Sequence, residues 1–111
     1  MYLKEKNPDI KIVGVQPSEG NKIAGMMRWA PELLPKIFDR NRLDDFVDVS
    51  SDDAKSMARR MAKEECIFAG HSSGATMTAA VRLAETLEEG TIVVIVCDRG
   101  DRYLSTPLFG E

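Results

Sequence analysis

Gly70-His71-Ser72-Ser73-Gly74 matches G-x-S-x-G, the spacing that in hydrolases sets a serine nucleophile on a sharp strand-to-helix turn. Such a serine needs a histidine reaching it from elsewhere in space to take its proton. The only histidine in the chain is His71, adjacent in sequence to Ser72, where it cannot serve as that base. Acyl transfer is set aside on this ground, and two readings of the turn remain. In one, backbone N–H groups and two hydroxyls at a helix N-terminus form a ready contact for an anion or a cofactor. In the other, Ser72 or Ser73 caps the helix and Gly74 lets it pack closely against a neighbour. His71 taken alone reads as a turn residue.

A second concentration of chemistry is Asp98-Arg99-Gly100-Asp101-Arg102, directly after the apolar run Ile92–Cys97. Ligands in open α/β sheets lie beyond the carboxyl ends of the strands. The plainer reading is a solvated turn of paired charges, which contributes little. Cys97 ends the run and reads as a small core residue. Arg28-Trp29 is a candidate cation–π or lid pair, or else Trp29 pins an irregular segment to the core. Cys66 stands where a helix C-terminal glycine would be comfortable. The two cysteines form neither a disulfide framework nor a zinc-binding pattern, and they fit a reduced, cytoplasmic setting.

These groups need positioning elements, and periodicity supplies them. Tyr2–Lys6 reads as about one helical turn ending at Asn7-Pro8, too short to nucleate alone; it is expected to be the tail of a helix whose front lies upstream. Lys11–Gln16 is β-rich and stops at a Pro17-Ser18-Glu19-Gly20 turn. Residues 20–43 carry Gly20, Gly25, Pro31, Pro35 and the only tryptophan, with Met26-Met27 and Leu33-Leu34 as couplets expected to pack on something. Phe46–Val49 reads as a short strand. Ser50 or Ser51 then caps a helix with Asp52 and Asp53 in its first turn, and Ala54, Met57, Ala58, Met61 and Ala62 fall on one face. After the apolar step Cys66–Ala69, a second helix carries apolar residues from Ala75 to Leu87. Ile92–Cys97 has the continuous β-branched pattern of a strand buried on both faces. The alternation predicts an α/β fold, a partial parallel sheet in three layers with flanking helices.

With 111 residues, the chain is one domain at most. Its 43% apolar and 30% charged residues are those of a globular chain. Lys and Arg total 15 against 18 Asp and Glu, for a net charge of −3 with no basic patch, which argues against nucleic acid. The longest apolar run falls far short of the roughly 20 residues of a membrane span, and the charged N-terminus has no signal-peptide core.

In order along the chain, Gly14-Val15-Gln16-Pro17, Arg28-Trp29, the helix 51–65 with Ile67-Phe68-Ala69-Gly70, Ser72-Ser73-Gly74-Ala75, and Cys97-Asp98-Arg99-Gly100-Asp101-Arg102-Tyr103-Leu104-Ser105-Thr106 resemble cysteine synthase, or O-acetylserine sulfhydrylase. The last string looks most like the B branch of these pyridoxal-phosphate enzymes of fold type II. The resemblance runs from about Tyr2 to Gly110 and covers only the C-terminal part of the family's chain. It implies that residues 1–111 are a single C-terminal piece of the catalytic domain. The Schiff-base lysine, the substrate-carboxylate loop and the phosphate loop would then all lie upstream. The seven lysines have polar or charged neighbours, unlike the desolvated pocket such a lysine needs, so no catalytic residue is assigned in this chain.

By resemblance, Ser72 hydrogen-bonds the pyridine nitrogen of pyridoxal phosphate, Gly70 and Cys97 line the ring, and Arg28 and Trp29 lie at the substrate entrance. A neutral hydroxyl at the pyridine nitrogen would suit β-elimination through an aminoacrylate. The whole protein would convert O-acetylserine and sulfide, or a related sulfur donor, to cysteine and acetate, with the isolated piece inactive and self-associating or part of a homodimer. The alternative is a non-catalytic α/β binding module derived from that family. Three positions depart from the family's pattern: Met27 for a frequent second arginine, Cys66 for a usual glycine, and His71 for a common small apolar residue.

Overall fold

Residues 2–110 are described by a computed structural model, and two of its helices carry most of the packing. The elements are α1 (Tyr2–Lys6), β1 (Val13–Pro17), β2 (Asp45–Val49), α2 (Ser51–Glu64) and α3 (His71–Ala84), with 3-10 turns at Pro31–Leu33, Arg40–Arg42 and Gly100–Tyr103. The sequence predicts α2 closely. The Ser50 hydroxyl accepts from the Asp53 N–H at 3.1 Å, and Asp52 and Asp53 occupy the first turn beside the positive end of the helix dipole. Cys66, just beyond the helix, has φ +56°, the left-handed conformation expected of a residue in a glycine's place.

β1 and β2 pair in parallel, Val13 opposite Asp45 through Pro17 opposite Val49. Pro17, expected to stop the strand, is its buried last residue, and the Ser18 N–H continues the ladder to the Val49 carbonyl at 2.8 Å. The connection over residues 18–44 has no α-helix, in keeping with its irregular composition. Its couplets divide: Met26 packs on the core, whereas Met27, Leu33 and Leu34 are exposed.

The core is Ile23, Val49, Ala54, Ala75 and Ala79, flanked by Val15, Met26 and Val47. Alanines bring α2 and α3 together, and Gly74 sets the limit of approach. A Cβ built on Gly74 would lie 2.0 Å from the Ala54 carbonyl oxygen and 3.0 Å from Ala58 Cβ, so close packing requires glycine there. Arg82 ties three elements, donating to Asp53 Oδ2 at 2.7 Å and to the Asp48 carbonyl at 3.2 Å. Arg59 holds the C-terminal segment through the carbonyls of Leu108 and Pro107, both at 2.7 Å.

The α/β class and the small parallel sheet with flanking helices are as expected, but three expectations need correction. Ile92–Cys97 is not part of the β1–β2 sheet; Val93 is 84% and Ile95 69% exposed. A run apolar on both faces becomes a strand only when neighbours satisfy its backbone, and no described strand pairs with it. For the same reason Cys97 is exposed rather than a core residue. The second helix ends at Ala84, leaving Leu87 outside it and half exposed.

Candidate cofactor site

α3 begins two or three residues earlier than a serine cap would allow. Gly70 is the N-cap residue and contributes no side-chain bond, so Ser72 and Ser73 both lie within the first turn. That corrects the capping expectation and gives the two hydroxyls separate fates. Ser73 Oγ accepts the Cys97 N–H at 2.9 Å and so fastens the extended 92–97 segment to the start of α3. Thr76 Oγ1, one turn on, donates to the Ile95 carbonyl at 3.1 Å. Ser72 is 4% exposed, and its hydroxyl makes no hydrogen bond to any described residue. Beside it is Gly25, whose φ of +80° favours glycine; a Cβ there would sit 3.7 Å from Ser72 Oγ.

Gly70 is bare for a different reason. A Cβ on it would lie 2.1 Å from Asp98 Oδ1 and 2.4 Å from the Tyr103 ring. Asp98 accepts a short hydrogen bond from the Tyr103 hydroxyl through Oδ2, while its buried Oδ1 has no partner among the described residues. That hydrogen bond, then burial and the carboxylate charge, pushes the Tyr103 hydroxyl above its usual range. The Asp98–Arg102 stretch is therefore more than a solvated turn. Arg99 and Asp101 pair at the surface at 2.9 Å, but Asp98 faces inward beneath Gly70. A bridge between Ala69 and Arg99, and the Gly100 N–H bonded to the Phe68 carbonyl at 3.0 Å, hold this turn against the step into α3.

Ser72, Gly70 and Cys97 thus converge at the start of α3, through contacts made by Ser73, Asp98 and Tyr103, which sequence spacing does not reveal. Arg28 and Trp29 do not pair with each other. Arg28 donates to Asp48 Oδ2 at 2.9 Å and to the Pro17 carbonyl at 3.2 Å, and Trp29 is 45% exposed, so neither a cation–π pair nor a core pin results. His71 is not a surface turn residue either. It is the first residue of α3 and is buried, with both ring nitrogens engaged.

The parallel α/β scaffold thus leaves the hydroxyl of Ser72, a largely buried residue in the first turn of α3, without a partner among the described residues, which makes it a candidate contact for the polar edge of a cofactor. The chain belongs to the family described as pyridoxal-phosphate dependent enzyme, which matches residues 1–98. Its relatives include cysteine synthase B of Pseudomonas aeruginosa, 52% identical over 108 residues that cover 97% of this chain and 36% of that protein. Cysteine synthase B of Escherichia coli is 44% identical over 110 residues, 99% of this chain and 36% of that one. Among solved structures, a cysteine synthase from Entamoeba histolytica superposes with a TM-score of 0.87 at 36% identity, over 96% of this chain and 34% of its own. An O-ureido-L-serine synthase gives 0.84 at 37% identity, over 96% and 36%. The chain spans about a third of the length of these relatives. Among the described residues, no helix is long and apolar enough to cross a membrane.

Proposed function

We propose that this chain is the C-terminal third of a cytoplasmic, homodimeric cysteine synthase that replaces the acetoxy group of O-acetylserine with sulfide or a related sulfur donor. The observation that carries the reading is Ser72, a largely buried residue whose hydroxyl has no partner among the described residues and is flanked by Gly25. The residues present fit pyridoxal phosphate: Ser72 Oγ would donate to the pyridine nitrogen, with bare Gly70 and the Cys97 segment beside the ring. When bound, the cofactor supplies the electron sink for loss of the β-substituent. Ser72 keeps its own proton, because a neutral hydroxyl donates to the pyridine nitrogen without protonating it. Asp98, a carboxylate of the kind whose charge would favour a protonated ring nitrogen, accepts from Tyr103 beneath Gly70 instead. None of the seven lysines is buried, which supports a covalent attachment point elsewhere in the full-length protein.

The test is cysteine formation from O-acetylserine and sulfide by the full-length protein. Sulfide-dependent turnover is expected. A full-length protein that binds no pyridoxal phosphate would instead support a non-catalytic module.

A further inference from the structure

We infer that His71 is a positioning residue for this site, holding Gly25 against the Ser72 hydroxyl; the inference rests on the cofactor reading above. The residue is 7% exposed, and its ring bridges two elements distant in sequence. Nδ1 accepts the Ala24 N–H at 3.3 Å, and Nε2 faces the Ser51 carbonyl at 3.1 Å, with Ser51 Oγ at 3.5 Å. Because Ala24 donates to Nδ1, the proton resides on Nε2, which donates to the Ser51 carbonyl. One neutral tautomer therefore satisfies both ends.

The Ala24 contact lies midway along a strap fastened at two other points. The Asn21 side-chain oxygen accepts the Ser51 N–H at 2.8 Å, and Arg28 is tied to Asp48 and Pro17. Ile23 plugs the core between them. Gly25, next to Ala24, is the residue that faces Ser72. His71 and Ser72 are consecutive, so the bond that fixes the strap originates beside the hydroxyl it covers. Losing this bond would free the middle of the strap while leaving its ends attached, and Gly25 would no longer have a fixed distance from Ser72.

The test uses the full-length protein with three variants. Asparagine can place an acceptor near the Nδ1 position only, glutamine a donor near the Nε2 position only, and valine neither. Amide hydrogen exchange is read by mass spectrometry on cofactor-free protein, over the peptide spanning residues 21–28. His71→Val and His71→Gln should accelerate exchange there roughly fivefold, as the loss of one hydrogen bond implies, with peptides from β1 and β2 unchanged. His71→Asn should restore slow exchange. In loaded protein, the valine and glutamine variants should raise KM for O-acetylserine more than they lower kcat.

Wild-type exchange in His71→Val, equal acceleration in all three variants, or acceleration throughout the sheet would overturn the inference. Failure of the full-length protein to bind cofactor, with the exchange pattern as expected, would defeat the functional reading but leave the His71 strut in place.

Discussion

Ser73 accepts a hydrogen bond from the Cys97 backbone N–H at 2.9 Å, whereas the adjacent Ser72 has no hydrogen-bond partner among the described residues. Two serines of one helical turn thus divide the labour. Ser73 fixes the segment that runs beside the site, and Ser72 remains available to whatever enters it.

Ser72→Ala in the full-length enzyme should leave cofactor content near normal, because one neutral hydrogen bond contributes only about 1 kcal/mol net. The absorption band of the bound cofactor should shift and turnover should fall. An unchanged spectrum and rate would make Ser72 a helix residue only.

Ser73→Ala should act differently. It deprives the Cys97 N–H of its acceptor, at a cost of about 1 kcal/mol, and exchange should rise over residues 92–97. The expected signature is loosening of that segment with a smaller spectral change than Ser72→Ala gives. The reverse order of spectral effects would contradict the division between the two serines.

The sequence discloses some of this arrangement and conceals the rest for a physical reason. The α2 cap, its acidic first turn, the glycine-like position of Cys66 and the close packing at Gly74 are all local, or a matter of side-chain size, and they are readable. His71 is not, since its partners lie 47 and 20 residues away and nothing in a Gly/Ser turn announces them. Ile92–Cys97 misleads in the opposite direction. Its composition expresses a demand for cover on both faces, and the described residues do not meet that demand with paired strands. In the site, Ser72 and Gly70 follow from the family resemblance, while the Asp98–Tyr103 contact beneath Gly70 has no periodic signature.

Gly70→Ala should destabilise the protein by about 1–3 kcal/mol, the usual cost of forcing extra atoms into a packed site. The new methyl would collide with Asp98 and the Tyr103 ring and displace their hydrogen bond. Chemical denaturation of the full-length variant should show a lower midpoint; an unchanged midpoint would mean that the turn yields freely.

The Asp98–Tyr103 hydrogen bond also sets an alkaline dependence. Hydrogen bonding to Asp98, followed by burial, raises the tyrosine pKa in the folded state. Its stabilising contribution is therefore complete below the unfolded-state value, about 10, and is lost as pH rises through the higher folded value. The stability difference between wild type and Tyr103→Phe should be constant at neutral pH and shrink above about pH 10. A difference that persists unchanged at high pH would contradict the contact.

The central claim is that these residues form one wall of a pyridoxal-phosphate site whose covalent attachment lies outside residues 1–111. The most direct measurement is borohydride reduction of the loaded full-length protein, followed by peptide mass spectrometry. The account predicts stoichiometric labelling of a single lysine beyond this chain, and no specific label when residues 1–111 are treated alone. Labelling of one of the seven lysines at positions 4, 6, 11, 22, 36, 55 and 63, together with turnover of O-acetylserine by the 111-residue chain, would contradict it.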